Sequence, residues 1–239
     1  METFNGLTQP SLRERTKENK TGFAAIFDMD GTLIDNTPYH YKSWQALFKK
    51  HGKGNLSAET YYNEISGVPV FNSIRRIFGS EYDEAGLKQL FKEKEEFYRA
   101  EYGPYVKPIE GLEAFLNDLR QAGVKIAMAT SATDEDINFI LDLIPIKKYF
   151  DAIVNSAMVS LPKPNPQIFL KAGEELNTAP AQCVVFEDSI AGIKAANAAC
   201  MKVVGITTGH KPEELQPADL IINDFAGLSA HIIAALFKK

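Results

Sequence analysis

The chain has 239 residues, of which 45% are apolar and 24% charged, with a formal net charge of −5. This is ordinary globular composition; the acidic balance excludes the basic face of a nucleic-acid binder, and no apolar run reaches the roughly 18 residues of a membrane span. The length suits one large domain or a main domain with a smaller one attached.

Residues 1–21 are polar and non-periodic and lack the apolar stretch of a signal peptide, so they read as a flexible extension of a cytoplasmic protein. From Phe23 a first apolar run, "FAAIF" (23–27), reads as a buried strand, and it ends in Asp28, Asp30 and, after Gly-Thr-Leu, Asp35. Ionised groups at the tip of a core strand are costly unless something positive meets them. The next hundred residues are too many for one crossover helix. The spacing predicts a helix starting at Thr37-Pro38, with Thr37 as N-cap and Trp44, Leu47 and Phe48 on one face, stopping near Gly52. Further helices are expected over 57–65, 69–78 and 83–100, the last so heavily charged that it reads as a solvated face.

Beyond Tyr105 the pattern is strand-helix alternation. Apolar runs at 124–130, 151–155, 183–187, 202–207 and 219–223 read as strands, and helices are expected in "GLEAFLNDLRQAG", "NPQIFLKAGEELN" and "SIAGIKAANAA". Runs apolar on both faces and alternating with helices predict an α/β fold, a doubly wound parallel sheet covered on both sides. The division expected is a core domain of 22–37 and 106–239, with an inserted α-helical domain over 38–105 joined through hinges near Asp35–Pro38 and Tyr102–Pro108. The two cysteines, Cys183 and Cys200, lie in segments that read as core and make no disulfide framework, which suits a reducing compartment.

Ligands bind such sheets at the carboxyl ends of the strands. Those ends supply Asp28 and Asp30, then Thr130 and Ser131, then Lys163 in "LPKPNP", then Glu187 and Asp188 before Ser189. Singly, each has a plain structural reading: turn-forming Asp, a helix-capping Thr-Ser, a loop before a Pro-initiated helix, acids at a helix N-terminus. Together they place four acids, two hydroxyls and one amine on one edge.

"FDMDGTL", "ATSA", "KPNP" and "VFEDSIAGIKAA" resemble, in order and spacing, the motifs of the haloacid dehalogenase (HAD) superfamily, and in particular its β-phosphoglucomutase-like phosphatases with a small helical cap; the resemblance spans roughly residues 22–225. It implies Asp28 as nucleophile, Asp30 as general acid and base, Thr130, Ser131 and Lys163 on the phosphate, and Mg²⁺ held by the Asp28 and Asp188 side chains, the Asp30 main-chain carbonyl and Glu187, directly or through water. Asp30, two residues after the nucleophile, favours phosphate esters over carbon–halogen bonds. His40 stands at the spacing of a cap histidine that couples cap closure to the acid in the mutases. A mutase must also grip a second phosphate, yet "EISGVPVFNSIRR" has no basic residue before Arg75 and Arg76. The expectation is therefore hydrolysis of a small phosphomonoester by a monomer; the alternatives are β-phosphoglucomutase, inorganic pyrophosphatase and a non-catalytic protein binding a phosphorylated metabolite.

Overall fold

The computed structural model describes residues 22–66 and 68–238, so the expected extension over 1–21 lies outside the described residues. Six strands, β1 (Ala24–Phe27), β2 (Lys125–Ala129), β3 (Ala152–Val154), β4 (Cys183–Glu187), β5 (Lys202–Ile206) and β6 (Leu220–Ile222), form one sheet of order β3-β2-β1-β4-β5-β6. Every neighbouring pair is parallel. The chain winds outward from β1 through β2 to β3, then returns to β4 on the other side of β1. The switch point therefore falls between β1 and β4, whose register pairs Phe27 with Phe186, and the next residues of both strands are the expected acids.

Successive residues of β1 alternate between two cores. Ala25 and Phe27 join one with α5 (Leu112–Gln121), α6 (Asp134–Leu143) and α9 (Ala230–Ala235), where Phe27 stacks on Phe186 with ring centres 4.4 Å apart. Ala24 and Ile26 join the other, with α7 (Gln167–Glu175) and α8 (Ile190–Ala198). All six strands match the apolar runs; α6 and α9 fall where the sequence reading placed no element.

Between β1 and β2 lie α1 (Thr37–Lys50), α2 (Ala58–Thr60) continued by a π-helical turn over Tyr61–Ile65, α3 (Val70–Phe78) and α4 (Glu84–Tyr102). They share a core of their own around Trp44, Leu47, Ile74, Phe78, Leu87 and Leu90. The two connections run side by side: Ile34 bridges Pro108, and the Ile109 amide donates to Leu33 O at 3.0 Å.

Three expectations need correction. The N-cap of α1 is Asn36, one residue earlier than expected, and its side chain caps nothing because it is engaged across the site below. The charged run of α4 is not a solvated face: Glu93, Lys94 and Glu95 are all buried. Glu93 can be buried because His51 Nε2 sits 2.7 Å from its Oε2 and Lys50 pairs with its Oε1. Cys200 is exposed, since it occupies the left-handed position (φ 59°) that ends α8, with its amide on Asn197 O at 2.9 Å.

Candidate active site

Asp28 follows β1 with its amide still bonded to Phe186 O at 3.0 Å, which continues the sheet ladder and fixes the carboxyl at the switch point. Glu187 ends β4, and its Oε2 accepts the Ser189 amide at 2.8 Å, while Ser189 Oγ caps α8 by accepting from the Gly192 amide at 3.0 Å. Carboxylate oxygens of Asp28, Glu187 and Asp188 lie within 4.8 Å of one another. Two glycines leave them room. Gly31 has φ +72°, and a Cβ there would collide with the Asp188 carboxylate; one at Gly192 would collide with Glu187 Oε1.

Lys163, from the loop before α7, reaches into this cluster, donating to Asp28 Oδ1 at 2.6 Å and to Glu187 Oε1 at 2.7 Å. Burial alone would lower its pKa, but the two carboxylates overcome that and hold the ammonium charged. Three carboxylates against one ammonium leave the cluster short of positive charge. Burial first, then Glu187 and Asp30, push the Asp28 carboxyl up to about 8 against the pull of Lys163, and Asp188 is raised by burial, Glu187 and Asp28. An all-oxygen donor set with excess negative charge is what a hard cation such as Mg²⁺ takes, and these residues fit it.

The other expected phosphate ligands lie on the loop between β2 and α6. Thr130 is buried, its amide continues the sheet to Val154 O at 3.0 Å, and its hydroxyl accepts from the Ala132 amide at 3.0 Å. Ser131 is exposed on the same loop. Neither caps α6; that role belongs to Thr133, whose Oγ1 accepts from the Asp136 amide.

Asp30 turns away from the three acids towards the inserted helices. Its Oδ1 accepts from Asn36 Nδ2 at 2.6 Å, and Asn36 Nδ2 is also 2.7 Å from Tyr98 Oη and 3.3 Å from His40 Nε2. His40 lies flat on the Tyr98 ring, 4.2 Å between centres, and Lys94 Nζ donates to its Nδ1 at 3.0 Å. Burial pushes Asp30 up to about 6 although the Asn36 bond opposes it. Burial, then Lys94, holds His40 well below the usual imidazole range. The structure thus joins His40 to Asp30 through Asn36, and adds Lys94 and Tyr98 from α4; the sequence reading singled out neither these two nor Asn36. Arg75 and Arg76 stay on the surface, paired with Glu84 and Glu64.

Asn36 and Tyr98 carried no usable signal, the first standing just before the helix start read at Thr37 and the second being one aromatic among many. Lys94 was hidden in the unbroken charged run Lys92–Glu96. Four buried side-chain atoms, Thr32 Oγ1, Asn36 Oδ1, Ser73 Oγ and Tyr102 Oη, have no partner among the described residues.

The haloacid dehalogenase-like hydrolase family matches residues 25–206 of the chain. A phosphorylated carbohydrates phosphatase of Thermotoga maritima is 31% identical over 176 residues, 74% of this chain and 81% of that one. A chloroplastic 5-amino-6-(5-phospho-D-ribitylamino)uracil phosphatase of Arabidopsis thaliana is 29% identical over 94% of this chain, which spans 61% of its length. Among solved structures, β-phosphoglucomutase of Clostridium difficile superposes with a TM-score of 0.78 at 28% identity, covering 90% of this chain and 96% of that one. No helix among the described residues is long and apolar enough to cross a membrane.

Proposed function

The chain belongs to the haloacid dehalogenase-like hydrolases, and from that premise we propose that it hydrolyses a small phosphomonoester, a sugar phosphate or similar, through a phosphoryl-aspartate on Asp28. The observation that carries this reading is the division of labour between the two aspartates. Asp28 is joined to Lys163 in a cluster with Glu187 and Asp188, whereas Asp30 is bonded to Asn36 and stands outside it.

In the first half-reaction an Asp28 carboxylate oxygen attacks phosphorus in line as the ester P–O bond breaks. Asp30, with a pKa of about 6, gives its proton to the departing alkoxide, so the alcohol leaves neutral. In the second, Asp30 as carboxylate takes a proton from water, whose oxygen attacks phosphorus and returns Asp28 and inorganic phosphate. Lys163 holds an equatorial phosphoryl oxygen, with Thr130 and the Ser131 amide on the other side. Glu187 keeps Lys163 aimed at Asp28 by taking its second bond. Mg²⁺ on Asp28, Asp188, the Asp30 carbonyl and Glu187 would neutralise the charge that otherwise keeps a carboxylate and a phosphate apart. The helices over 38–105 act as a cap, and His40, reaching Asp30 through Asn36, aligns the acid when the cap is closed.

β-Phosphoglucomutase is the second reading, supported by the His40–Asn36–Asp30 connection and the likeness to a solved mutase. Arg75 and Arg76, held in surface ion pairs, weigh against a second phosphate subsite. The test is phosphate release from a panel of hexose 1- and 6-phosphates, other phosphomonoesters and pyrophosphate, with and without Mg²⁺, beside Asp28→Asn. Metal-dependent release that disappears in the variant supports the phosphatase. Isomerisation of β-glucose 1-phosphate primed by the bisphosphate would favour the mutase instead, and affinity without turnover would leave only a binding protein.

A further inference from the structure

The helical wall beside Asp30 carries ionised groups that phosphoryl transfer does not use. Lys94 and Glu95, neighbours on α4, are 0% and 6% exposed. The ammonium of Lys94 is fully engaged, with His40 Nδ1 at 3.0 Å, Glu95 Oε1 at 3.1 Å and the Tyr98 ring beneath it. Arg99, one turn further along α4, is taken by Asp136 Oδ1 of α6 at 2.9 Å. Both cations on this stretch of the wall therefore have carboxylate partners of their own. Glu95 is different: Oε1 accepts from Lys94, and Oε2 accepts from nothing among the described residues. An unbroken chain of contacts, Asp30 Oδ1 to Asn36 Nδ2, His40, Lys94 Nζ and Glu95 Oε1, ties that carboxylate to the acid that must face the departing oxygen.

We infer that Glu95 is a specificity-determining residue that selects a neutral, hydroxyl-rich leaving group and turns away one bearing a second anionic group. This inference rests on the phosphatase reading and names the substrate class of the same site. A carboxylate is an acceptor only. A hydroxyl of a polyol can donate to Glu95 Oε2, whereas a carboxylate or second phosphate on the leaving group has no proton to offer. Its oxygens would meet the unbonded Glu95 oxygen, acceptor against acceptor, and the two cations of this wall, each already held by a carboxylate, are not free to receive them. Discrimination then comes from repulsion as well as attraction, and a site built to accept from hydroxyls rejects partners that lack them.

The test compares kcat/KM of the full chain, saturated with Mg²⁺, for three esters of one phosphate. One leaves as a neutral polyol (glycerol 3-phosphate or a hexose phosphate), one as a hydroxy acid (phosphoglycolate), and one, p-nitrophenyl phosphate, has neither a sugar hydroxyl nor a carboxylate. The wild type should favour the polyol over the hydroxy acid by about tenfold or more. Glu95→Gln, and Glu95→Asn as a second variant, should narrow that ratio by about tenfold, chiefly through KM. Both should keep turnover of p-nitrophenyl phosphate within about threefold, which certifies a folded, competent site. An unchanged ratio in either variant that still cleaves p-nitrophenyl phosphate, or a wild type that favours the hydroxy acid, overturns the assignment of Glu95 while leaving the phosphatase standing. A wild type that releases phosphate from none of the three overturns both.

Discussion

Gly192 sits in the first turn of α8, where alanine should be the better helix former by about 1 kcal/mol. Gly192→Ala is nevertheless expected to destabilise the protein. A Cβ at this position lands on Glu187 Oε1, and Glu187 is buried, with Lys163 at 2.7 Å on one oxygen and the Ser189 amide at 2.8 Å on the other. The carboxylate can yield only by giving up those bonds. Hydrogen bonds to charged groups contribute about 1.5–3 kcal/mol each, so two of them outweigh the propensity gain and leave a net loss of roughly 2–5 kcal/mol. In a chain of this size each kcal/mol moves Tm by about 2–4 °C, so calorimetric unfolding should come roughly 4–20 °C earlier. Turnover of the preferred phosphoester should fall more than about tenfold, because Lys163 loses one of the two anchors that aim it at Asp28. A Tm equal to or above that of the wild type, with turnover intact, would refute the reasoning that Glu187 is held in place by the absent side chain of Gly192.

Other outcomes follow from the same geometry. If Asp30 supplies the leaving-group proton with a pKa of about 6, single-turnover alcohol release from an alkyl phosphate should weaken above that pH, while hydrolysis of the phosphoryl-enzyme weakens below it. Asp30→Asn should then abolish turnover of alkyl phosphates yet retain transfer from p-nitrophenyl phosphate, whose leaving group needs no proton; equal loss on both would contradict the role. The same group links stability to pH. Its folded pKa of about 6 lies above the usual 3.8, so the folded state keeps the proton between those values, and the stability this brings is full below 3.8 and lost as pH rises through about 6. Asp30→Asn should flatten that slope in denaturant titrations. Arg99 and Asp136, 2.9 Å apart between α4 and α6, should show a coupling of roughly 0.5–3 kcal/mol in a double-mutant cycle; additive effects would mean the pair does not tie the two elements together.

The strands were legible because a parallel sheet covered on both faces leaves uninterrupted apolar runs, and the acids were legible because they follow those runs directly. Helix α6 escaped although its signals are present: Thr133 as N-cap, acids at 134–136, and Ile137, Ile140 and Leu141 on one face. The reading stopped at Thr130 and Ser131, where a helix cap was weighed only as their plain alternative, and placed no helix over the residues that follow. Lys94 and Glu95 were illegible for a deeper reason. Leu87, Leu90 and Tyr98 mark a buried face of α4 that Lys94 shares, but a charged side chain on that stripe reads as solvated, and only the packing of α4 against α1 and beside Asp30 decides which charges are withdrawn from water. Asn36 shows the same limit: a residue suited to cap α1 is diverted because Asp30 and Tyr98 offer its amide better partners. Cys200 was misjudged because its neighbours are apolar, while the left-handed turn that ends α8 points it outward.

The central claim is a phosphoryl group carried on Asp28, and rapid-quench mass spectrometry reads it directly. The chain is mixed with its best phosphoester and Mg²⁺, quenched in acid within one turnover, and the intact protein and the peptide containing Asp28 are weighed. The account predicts a protein one phosphoryl group heavier, with the added mass on Asp28, more of it in Asp30→Asn supplied with p-nitrophenyl phosphate, and none in Asp28→Asn. Steady turnover with no phosphorylated peptide in any of these samples, or with the phosphoryl group on another residue, would contradict it.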